Sequence, residues 1–362
     1  MLAALAALEE AYARRGAPFE GRTGAGAPVV GYVGADMPVE LLTAAGARAF
    51  RLTGDPESDS ALGDRYLGRG VDPVARSVLA RLLAGAFGDL DRVVVSRDCE
   101  ASLRLFYALR ELSRVEPGRR LPEVYLVDIL HLPHRTTALY NRRRIGEFAA
   151  RLEAWTGRPL DLAGAVAAHN ERRRLLAAAA ELRRAVPARL TGRQFLAVAG
   201  AALPVEEHVA LLERLLAEAG RLAEHAGRRV FLSGSDHDTP HVYEAIESEG
   251  HVIVGEDHSF GEPLRAEPVG GGGLDALAEH YHHSGPTAHR ATAAERAAHV
   301  ATAVRRCRAE LLLAYSRVGD EAPAWDFPAQ RAAAGIPAVS LERQEYGRAD
   351  LTALRKDDPC AV

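Results

Sequence analysis

Short apolar runs rich in β-branched residues alternate along the chain with long segments in which Ala, Leu, Glu and Arg recur with helical spacing. Apolar runs of about four to eight residues bounded by turns are typical of buried strands, and a repeat of about 3.6 residues is typical of amphipathic helices. Strands that alternate with helices favour parallel sheets covered by helices over an all-α or all-β structure. The pattern therefore predicts an α/β fold.

The predicted strands fall into two groups with a helical stretch between them. The first group is residues 28–33, 47–52, 92–96 and 123–127, and the second is residues 229–233, 251–254, 310–315 and 337–341. From residue 135 to about residue 226 the strand signal stops, and helical periodicity takes its place. We therefore predict an N-terminal α/β domain over residues 1–135, a helical connector over 136–226, a C-terminal α/β domain over 227–350 and a tail over 351–362.

The loops that follow these strands are rich in polar residues. Parallel sheets bind ligands in the crevice beyond the carboxyl ends of their strands, so these loops are where a site is expected. The loops are residues 34–38, 97–100, 233–238, 255–259 and 316–320. Two sheets that face each other would place all five loops around one cleft.

Composition and charge exclude several classes of function. The 362 residues contain 45 Lys and Arg and 49 Asp and Glu, a formal net charge of −4. Such a balance creates no field that would hold a polyanion, so we expect no nucleic-acid partner. No run approaches the roughly 20 apolar residues of a transmembrane helix, and three scattered cysteines are typical of a reducing compartment. We therefore expect a cytoplasmic protein without a membrane partner.

Glycine and serine motifs give little support to the common nucleotide and hydrolase sites. Gly24 and Gly26 precede a predicted strand instead of following one, and no Gly-x-x-x-x-Gly-Lys occurs, so neither dinucleotide nor P-loop binding is expected. Ser233 and Ser235 lack the full Gly-x-Ser-x-Gly elbow of a catalytic serine. A turn after a strand explains both serines.

Histidines and carboxylates concentrate in two loops of the second domain. One loop contains Asp236, His237 and Asp238, and the next contains Glu256, Asp257 and His258. Imidazole and carboxylate groups together can bind a divalent metal or transfer protons near neutral pH. No His-Glu-x-x-His or Cys-x-x-Cys spacing selects between these roles. Three interpretations therefore stay open: proton transfer or substrate binding, a metal site, and exposed polar loops.

Several segments occur in an order that is known from one family. Residues 38–46 read Pro-x-Glu-Leu-x-x-Ala-x-Gly, and residues 92–99 form a strand that ends in Cys99. Further matching segments are residues 132–140, 155–157 with Asn170 and Arg173, 232–235, 246–250, 254–257, 325–328 and 335–337. In this order they resemble the 2-hydroxyacyl-CoA dehydratase and benzoyl-CoA reductase family over roughly residues 28–345.

The resemblance implies a fold and a chemistry. It implies two flavodoxin-like parallel-sheet domains with a helical region, in agreement with the periodicity. It also implies a paralogous partner subunit or a second copy of the chain, a CoA thioester substrate, and a [4Fe-4S] cluster on three cysteines. A separate ATP-driven activator would inject one electron into that cluster to start ketyl-radical chemistry.

The cysteine pattern departs from that family. An iron-sulfur cluster needs about three or four thiolates, and the resemblance places the other ligands at residues 66–73 and 316–320. Neither segment contains a cysteine, while Cys307 lies in a predicted helix and Cys360 in the tail. Cys99 alone occupies a family position. Because one thiolate does not ordinarily retain a cluster, we expect the standard cluster to be lost.

The leading hypothesis is a dehydratase-like subunit without the standard cluster, either an acyl-thioester-binding partner subunit or a repurposed, lyase-like acid/base enzyme. The predicted catalytic residues are Cys99, Asp236, His237, Asp257 and His258, and the predicted ligand- or cofactor-binding residues are Asp36, Ser235, Ser316 and Arg317. Cys99 is also the residue that a remnant cluster would use. Two alternatives remain open: a His/Asp metal-dependent hydrolase or lyase, and an intact radical dehydratase with unusual cluster ligands.

Overall fold

Two parallel four-stranded sheets form the framework of the protein. The computed structural model describes residues 2–19, 26–262, 267–283, 285 and 291–357. The strands are β1 (Val29–Val33), β2 (Arg48–Arg51), β3 (Arg92–Ser96), β4 (Glu123–Val127), β5 (Arg228–Gly234), β6 (His251–Glu256), β7 (Leu311–Arg317) and β8 (Ala338–Gln344). The sheet orders are β2-β1-β3-β4 and β6-β5-β7-β8. Each order is the first four positions of the flavodoxin-like plan, and the predicted α/β fold class is confirmed.

The eight strands lie where the sequence predicts them, although the strands of the second sheet run further at their carboxyl ends. β7 continues to Arg317, which pairs with Gln344 of β8. For β7 the predicted end was Tyr315, just before the polar residues Ser316 and Arg317. Polar side chains there are compatible with the strand because the backbone groups remain hydrogen-bonded in the ladder.

Helices cover both sheets and fill the region between them. Those in the described residues are α1 (Ala3–Ala13), α2 (Val39–Ala44), α3 (Ala61–Leu67), α4 (Pro73–Leu83), α5 (Glu100–Val115), α6 (Arg135–Thr156), α7 (Leu162–Arg184), α8 (Gly192–Gly200), α9 (Val205–Ala217), α10 (His241–Ser248), α11 (Leu274–His282), α12 (Ala293–Cys307), α13 (Ala322–Ala334) and α14 (Thr352–Asp357). The predicted helical region corresponds to α6 to α9. Among the helices described here, none is both long enough and apolar enough to cross a membrane.

Two helices pack far from their neighbours in sequence. α1 packs against α8 and α9 in the helical region and contributes Tyr12 to the apolar core of the second sheet. α11, which follows β6, packs on α6 and contributes Leu277 and Tyr281 to the apolar core beneath the first sheet. Each sheet unit is therefore completed by a segment from another part of the chain. The domain boundaries proposed from the sequence stay a prediction.

Candidate functional site

A cleft of about 450 Å³ lies between the carboxyl edges of the two sheets. All five polar loops predicted from the sequence line it, through Ala35, Cys99, Asp236, Asp257 and Arg317 among others. The strands are parallel in both sheets, so the loops that follow them meet at one edge. The opposite wall is apolar and includes Val78 and Leu105.

The first sheet contributes two buried carboxyl groups to the cleft. Asp36 Oδ2 lies 2.6 Å from His131 Nε2, and Asp98 Oδ2 accepts a hydrogen bond of 2.7 Å from the Ala35 backbone N–H. Burial, and then the charge of Asp36, raise the pKa of Asp98. This side of the cleft is therefore acidic and poorly hydrated.

Cys99 is the N-terminal cap of α5 and lies three positions after the end of β3. Its Sγ accepts a hydrogen bond of 3.4 Å from the Ser102 N–H and lies 3.3 Å from Ser102 Oγ. Burial raises the pKa of the thiol, and the charges of Asp98 and Asp72 add to this effect. A helix N-terminus would lower the pKa, but its field is outweighed here. The thiol is therefore protonated at neutral pH and is a weak nucleophile.

An ion pair between Asp72 and Arg317 crosses the cleft beside Cys99. Asp72 caps α4 by accepting a 2.8 Å hydrogen bond from the Val74 N–H through Oδ1, and its Oδ2 accepts one of 2.8 Å from Arg317 Nη2. Arg317 is only 6% exposed and also donates to the Asp236 carbonyl at 2.7 Å. The pair joins the two sheet units.

Sequence reasoning predicted Arg317 but missed Asp72, since Asp72 precedes a helix and does not follow a strand. A usable signal was present, because Asp followed by Pro73 is a helix-start pattern. Arg296 and Asp326 were missed as well. They also line the cleft, where Arg296 Nε donates to Asp326 Oδ2 at 2.6 Å.

Ser235 and Ser316 hold the loop after β7 in place. Ser235 Oγ accepts from the Arg317 N–H at 3.0 Å and donates to Asp320 at 2.7 Å. Ser316 Oγ donates to the Asp320 carbonyl at 2.8 Å. Neither serine lines the cleft. Their hydroxyl groups fix the backbone that presents Arg317.

Asp236 is held by the neighbouring loop after β6. It accepts hydrogen bonds from the Ser259 N–H at 2.6 Å and from Ser259 Oγ at 2.5 Å. Arg51 Nη2 lies 4.0 Å from Asp236 Oδ2, donates to Ser259 Oγ, and stacks over the Phe260 ring at 3.5 Å. Burial opposes ionisation, but Arg51 and Ser259 hold the pKa of Asp236 below its ordinary value. Asp236 is therefore a charged, anchored carboxylate.

Asp257 is a buried acidic side chain of the cleft whose pKa is raised towards neutral pH. Its oxygens accept hydrogen bonds from Ser233 Oγ at 2.8 Å and from the Gly234 N–H at 3.1 Å. Both hydrogen bonds stabilise the ionised form of Asp257. Burial disfavours that form more strongly and raises the pKa of Asp257 to about 6. A carboxyl group poised in this way can both accept and donate a proton.

His258 lines the cleft and connects it to a buried polar network. The Phe260 N–H donates to His258 Nδ1 at 3.2 Å, so we assign the proton to Nε2, which donates to Tyr243 Oη at 2.6 Å. Tyr243 in turn donates to Glu256 at 3.1 Å, and Glu256 is paired with Arg183. Burial lowers the pKa of His258, so the ring is neutral at pH 7.

His237 points into the second domain and does not line the cleft. Its ring packs edge-on against Tyr315 at 4.6 Å and against His258 at 5.0 Å. Burial, then the charges of His258 and Arg317, lower its pKa well below the ordinary value. The structure thus brings Asp36, Cys99, Asp236, Asp257, His258 and Arg317 to the cleft, and leaves His237, Ser235 and Ser316 behind it.

The described residues do not fit a [4Fe-4S] cluster. Cys99 is the one thiol that they bring to the cleft, and it is protonated. Cys307 is buried at the end of α12, where Arg184 Nε donates to its Sγ at 3.4 Å. Cys360 lies outside the described residues. In the same ranges no group of three or more His, Cys, Asp or Glu is arranged to hold a metal ion.

Comparison with protein families yields a match over most of the chain. The family model described as 2-hydroxyglutaryl-CoA dehydratase, D-component, matches residues 35–354. The matched range includes residues from all five loops of the cleft. Among curated proteins, none matches the chain.

Proposed function

Because the chain belongs to the family of the 2-hydroxyglutaryl-CoA dehydratase D-component, we propose that it is a dehydratase-like subunit without the standard [4Fe-4S] cluster. In this role it binds an acyl-CoA or a related thioester in the cleft and works beside a partner subunit, either a paralogue or a second copy of the chain. We place this function in the cytoplasm. An ATP-driven activator would then act on a cluster held elsewhere in the assembly.

The Asp72–Arg317 ion pair is the observation that carries this function. The family resemblance puts two cluster cysteines at residues 66–73 and 316–320, and Asp72 and Arg317 stand in those two segments, 2.8 Å apart. A guanidinium group has no lone pair to give to iron. The pair also lies beside Cys99, whose pKa the charge of Asp72 helps to raise. Residues from the two segments where the resemblance implies cluster ligands therefore bind each other.

The shape of the cleft supports acyl binding. Its apolar wall includes Leu52, Val74, Val78 and Leu105, and its polar wall carries Asp257 and Arg317. Binding sites of this kind hold the apolar part of a ligand by burial and orient it with a few polar groups. About 450 Å³ accommodates an acyl group and part of the pantetheine arm, so the nucleotide of CoA would lie outside.

Metal content and thioester binding test this function together. Protein purified without oxygen should contain less than about 0.2 iron and sulfide per chain, and isobutyryl-CoA should bind in calorimetry more tightly than free CoA. Ala322→Trp, which places a ring in the cleft at the start of α13, should weaken isobutyryl-CoA binding at least tenfold. Ala333→Trp, on an exposed position of the same helix, is the matched control.

Three results would overturn the proposal. Iron and sulfide near four per chain would mean that an intact cluster forms with unusual ligands. Equal binding of isobutyryl-CoA by both tryptophan variants would mean that the cleft is not the acyl site. Stoichiometric zinc or manganese would favour a metal-dependent hydrolase instead, for which the described residues provide no ligand set.

A second candidate function, acid/base catalysis on the bound acyl group, is favoured by Asp257. It lines the cleft and its pKa of about 6 suits proton exchange at neutral pH. If the chain itself turns over a 2-hydroxyacyl-CoA, Asp257→Asn should lower kcat at least a hundredfold while thioester binding is kept. Unchanged turnover in this variant would leave the binding function as the one supported.

A further inference from the structure

A second cavity of about 220 Å³ lies next to the cleft and is lined by residues of β1, β2, α7 and α8. Arg51 and Phe260 belong to both cavities and form the wall between them. Nothing in the proposed thioester function uses this second cavity. We call it the arginine pocket, after Arg15, Arg51, Arg172 and Arg173 in its lining.

Positive charge is in excess around the arginine pocket. Arg173 is neutralised by Glu40, which also accepts a hydrogen bond of 2.9 Å from Tyr281 Oη. Asp238, the carboxylate in the lining, accepts hydrogen bonds from the Gly54 N–H at 2.7 Å and from Tyr346 Oη at 3.0 Å, and burial raises its pKa. His169 is neutral, since burial lowers its pKa to about 3. Among the described residues, Arg172 therefore has no ion-pair partner of its own.

Arg172 is the residue that indicates an anion-binding role for the arginine pocket. Its Nε is buried and has no hydrogen-bond partner among the described residues. Burial lowers the pKa of this guanidinium, and the charge of Arg173 adds to the effect, although Tyr32 and Glu40 oppose it. Burying a charge that lacks an anion destabilises the folded protein. A protein that keeps such a group in a cavity has in effect a preformed anion site.

The other side chains that line the arginine pocket indicate the chemistry of the rest of the ligand. Tyr32, Phe50 and Tyr281 line the pocket together with apolar side chains that include Met37, Leu176 and Leu196. An inorganic anion would gain nothing from such walls, whereas an organic anion buries its apolar body against them. Arg15, which also lines the pocket, donates to the carbonyl oxygens of Tyr12 and Asp238. The guanidinium of Arg172 is therefore the one available for a carboxylate, which it can bind through two parallel hydrogen bonds.

We propose that the arginine pocket binds a small organic carboxylate, whose charged group pairs with Arg172 and whose apolar body packs against Tyr32 and Tyr281. The pocket is separate from the cleft and does not depend on the thioester function. Its ligand would be a free acid or the acid end of a larger molecule.

Phenylacetate and phenylacetamide, which share a shape but not a charge, are the probes. Calorimetry at constant ionic strength should show that the full chain binds phenylacetate at least tenfold more tightly than phenylacetamide. Arg172→Gln should abolish this difference. Arg174→Gln is the matched control, because Arg174 lies on the same helix, is 63% exposed in its side chain and is paired with Glu171.

The Tm of Arg172→Gln without ligand shows whether weaker phenylacetate binding reflects loss of the binding site or unfolding of the variant. Since Arg172 is half-buried and has no ion-pair partner among the described residues, removal of its charge should leave the Tm equal to or above that of the wild type, and Arg174→Gln should match the wild type. Ala322→Trp should bind phenylacetate normally, which distinguishes this pocket from the thioester cleft. Equal affinity for the two probes, retention of phenylacetate by Arg172→Gln, or tighter binding of inorganic phosphate than of phenylacetate would each overturn the assignment.

Discussion

Burial sets the protonation of the groups that face the cleft. It raises the pKa of Asp98, of Asp257 and of the Cys99 thiol, so each of these groups holds its proton to a higher pH than it would in water. Asp236 escapes this trend because Arg51 and Ser259 stabilise its charge. The cleft thus combines a protonated thiol and carboxyl groups of raised pKa with carboxylates held by hydrogen bonds or ion pairs, such as Asp236 and Asp72.

Asp257 should make the stability of the protein depend on pH. Its pKa is about 6 in the folded chain against an ordinary value of 3.8, so the folded state binds more protons between these values. Stability therefore falls as pH rises from about 4 to 6, and the loss of about 3 kcal/mol is complete above that range. Asp257→Asn removes this loss. Urea unfolding should show the variant gaining stability relative to the wild type by that amount between pH 4 and pH 7.

The Ser233→Ala variant tests the pKa assigned to Asp257 by removing one of its hydrogen-bond donors. Removing the Ser233 hydroxyl takes away one hydrogen bond to the carboxylate, so the midpoint of the Asp257 titration, followed by carboxyl ¹³C NMR, should move above pH 6. A midpoint near 4 in the wild type, or a stability difference between wild type and Asp257→Asn that does not vary with pH, would contradict the assignment.

Residues of the site could be predicted from the sequence where they lie at or just after the carboxyl end of a strand. Asp257, His258 and Arg317 were found in this way, because the carboxyl ends of parallel strands share an edge. Asp72 was not found, since its partner Arg317 is 245 residues away in the chain and the contact exists only in the assembled fold. His237 was predicted as a site residue but lies behind the cleft, because the side chain of a polar loop residue can equally point into the core.

At the scale of elements, Asp72 both caps α4 and balances the charge of Arg317. Asp72→Asn keeps the cap, because Asn caps helices as well as Asp, but leaves a guanidinium that is 6% exposed without its anion. We expect a loss of about 3 kcal/mol in the free energy of unfolding, measured in urea. Asp161→Asn is the control, because Asp161 caps α7 from an exposed position and should lose less than about 0.5 kcal/mol.

A double-mutant cycle with Arg317→Met isolates the pair from the cap. If the charge of Asp72 matters only through Arg317, then Asp72→Asn should cost little in the Arg317→Met background, and the coupling energy should be about 2 kcal/mol or more. Additive losses would mean that the cap, and not the ion pair, makes α4 stable.

The strands could be predicted more completely than the packing of the helices. β-branched runs mark a buried strand directly, and all eight were found. An amphipathic helix reveals which face is buried but not what covers it. The positions of α1 on the helical region and of α11 beneath the first sheet were therefore not foreseen. Both depend on contacts between residues that are far apart in sequence.

On the scale of the whole molecule, the packing of α1 and α11 away from their sequence neighbours connects the two sheet units. α11 follows β6 of the second sheet but places Tyr281 in the core of the first, and α1 places Tyr12 in the core of the second. The Asp72–Arg317 pair and a hydrogen bond of 2.7 Å from the Gly54 N–H to Asp238 add polar contacts between the two units. One unit cannot unfold without exposing apolar surface that belongs to the other.

The chain should therefore unfold in one cooperative transition, although its length is typical of two domains. Trp155 packs edge-on against Tyr125 of the first sheet at 5.8 Å, whereas the other tryptophan, Trp325, is 80% exposed. In Trp325→Phe, emission from Trp155 reports on the first unit alone, and far-ultraviolet circular dichroism reports on all helices. We expect the two signals to give the same midpoint in urea, and the same slope, because the first unit loses α11 when the second unfolds. An earlier midpoint for Trp155 would mean that the first sheet unit unfolds by itself and that the exchanged helices contribute little to its stability.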